Sequence, residues 1–143
     1  MDLLIGEKQN DGTYKFSDGV NDIHFDEHGK LATVSDTDLL AQNIVKIIKT
    51  EVDQNTLIPS YGSNISKIVF QSDINTSTNI NATIINALSN LRLLYDNSSN
   101  AKEKPNFLQN LCIFYDKAEP TNYTVYFEVI SDANTASAVA VSL

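Results

Sequence analysis

The spacing of apolar residues passes from helical to strand-like in the second half of this chain, and that change limits the fold more than any single motif. Between residues 36 and 95 apolar side chains recur every three or four positions, the spacing of helices that bury one stripe. From Leu111 onward they alternate with polar or small neighbours, or run together in β-branched and aromatic blocks, as strands do. Leu39, Leu40, Ile44, Ile47 and Ile48 form the first stripe, on a helix expected to start at Ser35 or Asp36, whose side chains can accept from first-turn amides. Asp38 places negative charge at the positive end of the helix dipole, and the helix should stop near Thr50. Pro59 and Gly62 make a rigid turn of residues 57–63, after which Ser63 caps a short helix bearing Ile65, Ile68 and Val69. A longer helix from about Thr76 to Tyr95 sets Ile80, Ile84, Ala87, Leu88, Leu91, Leu94 and Tyr95 on one face.

Ahead of these helices, Asp11-Gly12, Asp18-Gly19 and His28-Gly29 punctuate short strands at Tyr14–Phe16, Ile23–Phe25 and Leu31–Val34. Behind them, a polar loop over 96–105 leads to strands at Leu111–Tyr115, Tyr123–Ile130 and Ala136–Leu143, with a hairpin turn at Ser131–Asn134. Short strands, helices and then strands predict an α+β fold: three helices packed on one side of an antiparallel sheet, with N-terminal short strands and a C-terminal β-hairpin. Residues 1–18 read as an arm or strand and 19–143 as one domain. Within it, the segment 123–143 is either a hairpin that pairs with another chain or an ordinary edge of the domain's own sheet.

A chain of 143 residues is long enough for a self-supporting core, since roughly 70% of the unfolded surface is buried at this size. Ten basic against eighteen acidic residues give a formal charge of −8, which repels phosphate backbones and anionic lipid, so neither nucleic acid nor membrane is an expected partner. The N-terminus lacks a basic n-region and no run approaches the roughly 18 apolar residues of a membrane helix, which leads us to expect folding in a cytoplasm. Cys112 is the single cysteine, so no internal disulfide is possible, and its place between Leu111 and Ile113 reads as core. Asn-x-Ser/Thr triplets at Asn64, Asn75, Asn81, Asn97 and Asn122 are expected by chance in an asparagine-rich chain.

Groups that could carry chemistry are few. His24, Asp26 and His28 share one face of a strand and could ligate a metal, but a solvated strand end is the favoured reading. Glu51 and Asp53 could imitate the carboxylate pair of a glycosidase, but at the end of a helix they read as solvated charges. There is no Gly-rich phosphate loop, HExxH, paired CxxC or Gly-x-Ser-x-Gly elbow. We therefore expect no enzyme, no metal and no cofactor, but a binding or structural component.

Three ordered segments carry a resemblance. They are Asp22-Ile23-His24-Phe25-Asp26-Glu27-His28-Gly29 before the first helix, Asp38-Leu39-Leu40-Ala41-Gln42-Asn43-Ile44 with Ile48-Lys49-Thr50 on it, and Ile58-Pro59-Ser60-Tyr61-Gly62-Ser63-Asn64-Ile65 after it. Through them the stretch from Gly19 to about Tyr95 resembles the inner baseplate wedge protein of contractile phage tails. That family, often labelled lysozyme-like, has counterparts in phage-like bacteriocins and type VI secretion baseplates. The resemblance implies a sheath initiator: a structural part of the virion's tail baseplate, assembled in the host cytoplasm as a symmetric ring of six copies. The partners it implies are other baseplate wedge proteins, the tail sheath protein, and tail tube or hub proteins. The lysozyme label transfers no catalytic residue. Many members carry Glu-Pro-Arg after the long helix to hold the wedge core, whereas here that region reads Leu91-Arg92-Leu93-Leu94-Tyr95-Asp96. Glu119-Pro120-Thr121 lies too far downstream to be equated with it, which puts the usual wedge contact in doubt. The alternative is a small cytoplasmic adaptor or anti-adaptor reusing the fold.

Two sets of residues are candidate protein contacts. On the hairpin, Val125, Phe127 and Val129, with Val139 and Val141 on the terminal strand, would back a sheet whose exposed backbone pairs with a sheath strand. Removing the last strand should then leave a folded domain unable to support sheath assembly. In the turn, Pro59, Tyr61 and Gly62 either present Tyr61 to a neighbouring baseplate chain or pack it inward; packing is favoured, because such a turn fixes the angle between two helices.

Overall fold

In the computed structural model of the chain, everything else is assembled around one helix, α1 (Asp36–Lys49). The structure describes residues 28–31, 33–71, 75–97, 99–115, 118 and 122–143, with the backbone of 2–3, 7–8 and 14–15. The expected strand Ile23–Phe25 lies outside them. Nine of the fourteen residues of α1 are buried, including the expected stripe and the polar Gln42 and Asn43, because neighbours cover the helix on more than one side. Its start differs from expectation. Ser35 occupies the N-cap position, but no side-chain cap bond forms there. Asp36 instead takes a left-handed φ of 55° and accepts from Asn100 Nδ2 at 3.0 Å, with Lys102 Nζ 3.9 Å away. Asp36 and Asp38 at the first turn and Lys46 and Lys49 at the last match the helix dipole.

The short helix α2 (Ile65–Gln71) and the long α3 (Thr76–Leu94) follow where the spacing predicts them. On α3, Ile80, Ile84, Ala87, Leu88 and Leu91 are buried, whereas Leu94 is a correction: at 43% exposure it has left the apolar face. The helical drift of about 100° per residue carries the stripe past it, and Tyr95, packed against the core, closes the face instead.

Seven strands are described: β1 (Asp2–Leu3), β2 (Glu7–Lys8), β3 (Tyr14–Lys15), β4 (Thr33–Val34), β5 (Pro105–Tyr115), β6 (Tyr123–Ser131) and β7 (Ala136–Ser142). The three long strands form an antiparallel sheet, as expected, and the fold is α+β. Two features go beyond the sequence reading. The sheet extends to the order β2-β3-β7-β6-β5, with β3 joining β7 in parallel, and β1 pairs separately with β4. In addition, β5 begins at Pro105, inside the segment read as loop, and carries irregularities between Pro105 and Phe107 and between Gln109 and Cys112. The β6–β7 turn is the expected one: Ser131 donates its N–H to Thr135 O at 2.9 Å and Asn134 adopts φ 58°.

Alternation along β6 buries Val125, Phe127 and Val129 and leaves Thr124, Tyr126, Glu128 and Ile130 on the other face. With Val139 and Val141 of β7, the buried set meets Leu40, Ile44, Ile47, Ile48, Ile84 and Leu91 in a single core. One clamp holds α3 to the sheet. Arg92 Nη1 donates to Pro105 O and to Asp132 Oδ1, both at 2.7 Å, and Nη2 donates to Asp132 Oδ2 at 3.2 Å.

The hydrogen bond from Arg92, more than any other influence, holds the Asp132 carboxyl below the ordinary carboxylate range. A folded pKa below the unfolded one stabilises the protein above the unfolded pKa of about 4, and that contribution disappears as pH falls through the folded value. Asp132→Asn should therefore lower the urea midpoint at neutral pH, with the gap from the parent closing as the pH is taken towards about 2. Titration of the urea midpoint against pH in both proteins checks this.

Candidate interaction surfaces

The turn after α1 is a joint between two helices. Thr50 ends α1, its Oγ1 bonded back to Lys46 O at 2.7 Å, and the chain returns to this point at Ser63. There the Ser63 N–H donates to Thr50 O at 2.7 Å, and Ser63 Oγ donates to Ile48 O at 2.5 Å while accepting from Ile65 N at 3.4 Å. The N-cap position of α2 falls to Asn64, whose carbonyl accepts from Ile68 N, so the expected cap at Ser63 is corrected: Ser63 sits one residue earlier and ties the start of α2 to the end of α1. Gly62 makes the approach possible. Its φ is 132°, and a Cβ there would lie 2.6 Å from Thr50 O and 2.8 Å from Glu51 C and O, all backbone atoms.

Of the turn residues proposed as contacts, Gly62 is buried and Tyr61 is half-buried against the core, so the packing alternative describes Tyr61. Pro59 is exposed, and its carbonyl accepts from Asp53 N at 3.0 Å. The most exposed large apolar side chain among the described residues also lies on this loop. Leu57 is 91% exposed, on a turn in which Asn55 Oδ1 accepts from Leu57 N and Ile58 N at 3.0 and 3.1 Å.

The hairpin set needs correction. Val125, Phe127, Val129, Val139 and Val141 are all buried and face the helices, so their side chains serve the protein's own core and are closed to a partner. A period of two sends all five to one face, and that face is the one the helices cover. The terminal strand is not an edge either. It lies between β6 and β3, with Tyr14↔Val139 the β3 pair among the described residues. Val139 and Val141 in the core therefore change the expectation for removal of the last strand from a folded domain to a loss of folding.

A cleft of about 300 Å³ between α3 and β5, lined by Ile85, Leu88, Arg92, Pro105, Phe107 and Leu108, was not anticipated. Its Arg92 is already engaged by Asp132. Cys112 is a further correction: it is exposed, paired with Tyr126 on the face away from the helices. Its two apolar neighbours, Leu111 and Ile113, take the inward positions, and alternation forces the residue between them outward. His28 is exposed, and His24 and Asp26 lie outside the described residues. Glu51 and Asp53 are both exposed, with Ser66 Oγ donating to Glu51 at 3.0 Å. Among the described residues no group of three or more His, Cys, Asp or Glu side chains could hold a metal ion, and no helix is long and apolar enough to cross a membrane. Compared with protein-family models, curated proteins and solved structures, the chain matches none.

Two outcomes follow from these placements. Gly62→Ala should cost more than about 1 kcal/mol in chemical denaturation, because both its φ and the adjoining carbonyls oppose a side chain. Truncation after Asn134 should abolish cooperative unfolding, since it removes Val139 and Val141 from the core and strips β6 of one neighbour. Circular dichroism during urea titration reads both.

Proposed function

We propose that this protein is a structural component of a contractile tail baseplate, a sheath initiator that links the wedge to the first sheath ring around the tail tube. The observation that carries this reading is the joint at Gly62. Ile48 and Thr50 belong to one segment of the resemblance and Gly62 and Ser63 to another, and these four residues touch through hydrogen bonds and backbone contact. The resemblance therefore follows a single packed device in this chain. A match scattered over unrelated surface positions would not have that property.

Strand addition to the sheath, which the resemblance implies, fits the β3 side of β7 better than the long edge of β5. Bulges blunt an edge, and β5 carries two irregularities, whereas among the described residues β7 is met by β3 at the single pair Tyr14↔Val139. An incoming sheath strand taking the place of β3 would ladder along the seven residues of β7. The buried face of the hairpin stays on its helices throughout, so only backbone groups change partners.

Electron cryo-microscopy of tail-like particles from the source of this chain tests the reading. The expected result is a ring of these domains between baseplate and sheath, with β7 in a sheet shared with a sheath subunit. A free monomer found outside any particle would overturn it in favour of the adaptor.

A further inference from the structure

The face of β5, β6 and β7 turned away from the helices has a composition unlike the rest of this acidic chain. On it the registers set Phe107 beside Ile130, Gln109 beside Glu128 and Cys112 beside Tyr126, while β7 contributes only alanine and serine. Phe107, Phe114 and Tyr126 are the exposed aromatic side chains among the described residues, and Phe114 packs edge-on to Tyr126 with ring centroids 5.7 Å apart. Glu128 is the one charged residue contributed to this face by the outward positions of β6 and β7.

That carboxylate is held in a fixed orientation. The irregularity between Gln109 and Cys112 puts Asn110 at φ 54° and brings a second amide to the carboxylate. Gln109 Nε2 and Asn110 Nδ2 both donate to Glu128 Oε2, at 2.8 and 2.9 Å. Among the described residues Oε1 accepts no bond. Tyr126, two positions away on the same strand face, stands beside it.

The geometry points to a docking surface for a partner segment that carries an arginine between apolar side chains. The guanidinium would donate to Glu128 Oε1 and lie against Tyr126, and the apolar neighbours would cover Phe114 and the alanine floor of β7. Charge complementarity selects this occupant. A partner that covered Glu128 without supplying a cation would strand a carboxylate in an apolar contact. A second copy would bring carboxylate against carboxylate and −8 against −8. An arginine meets both demands, because it neutralises the carboxylate and its plane stacks on an aromatic ring. This inference does not depend on the baseplate reading.

The test uses the full chain, isotopically labelled, and two capped peptides alternating valine and threonine, one with a central arginine and one with a central glutamate. In NMR titrations the arginine peptide should shift the amides of Cys112, Tyr126 and Glu128 and bind at least about tenfold tighter than the glutamate peptide. Glu128→Gln keeps an acceptor for both amides, so it should leave the thermal unfolding midpoint unchanged while removing that preference. Equal binding of the two peptides, shifts confined to the helical side, or no binding of either would overturn the proposal. So would a monomer–dimer equilibrium of the free chain by sedimentation whose dimer protects these same amides, because a second copy would then be the occupant.

Discussion

Everything in this domain depends on the contact between α1 and the inward face of the hairpin. Neither partner is stable alone: a helix of about fourteen residues is marginal in water, and a two-stranded hairpin is no better. Their shared surface removes Leu40, Ile44, Ile47 and Ile48 from solvent on one side and Val125, Val129, Val139 and Val141 on the other. Full burial of such a side chain is worth roughly 1.5–3 kcal/mol, which has to be set against the entropy of ordering both elements. The remaining parts orient themselves on this contact. The Gly62 joint fixes α2 to the end of α1, Arg92 clamps α3 to the start of β5 and to the hairpin turn, and Asn43 Nδ2 donates to Tyr95 Oη at the far end of α3.

The elements that sequence reasoning found are those whose signal is local. The stripes of α1 and α3, the stop at Thr50, the Pro59–Gly62 turn and the Ser131–Asn134 hairpin each follow from a short window of residues, and each is present. What it missed depends on partners distant in the chain. Nothing in Tyr14-Lys15 announces a parallel neighbour at Val139, more than a hundred residues away, and that pairing is what makes β7 an interior strand. Asp36 has the local signature of a cap, yet its partner Asn100 lies across the fold. Cys112 is a different case, because the information was there. Alternation through Leu111-Cys112-Ile113 places the cysteine outward once its neighbours are inward, and reading the three as one apolar run concealed this. The hairpin contact residues are a related case: their alternation gives them one face, but only the distant helices decide that this face is covered by the chain itself.

One extra residue in β5 has two effects on the surface that is left. It lets Leu108 and Ile113 both face the core, opposite Val129 and Val125, although five positions separate them and strict alternation would put them on opposite faces. It also frees Asn110 to turn its amide onto Glu128 beside that of Gln109. Packing on one face and a fixed carboxylate on the other thus share a single local cause. Any change that restored regular pairing in β5 would disturb both.

The placement of charge then bears on what the sheet can meet. With eighteen acidic residues the chain has no shortage of carboxylates, yet the outward positions of β6 and β7 carry Glu128 alone. A face of aromatic and small side chains without charge would attract copies of itself, which is the hazard of an uncovered sheet. A carboxylate among these positions changes that balance, because its burial is costly against any surface that brings no cation and becomes favourable against one that does. The two amides sharpen the distinction. By holding Oε2 they prevent the side chain from swinging out to the rim as a neutral face closed over it, so the carboxylate has to be matched where it stands. Glu128 therefore works against self-association and for a basic partner through the same desolvation energy.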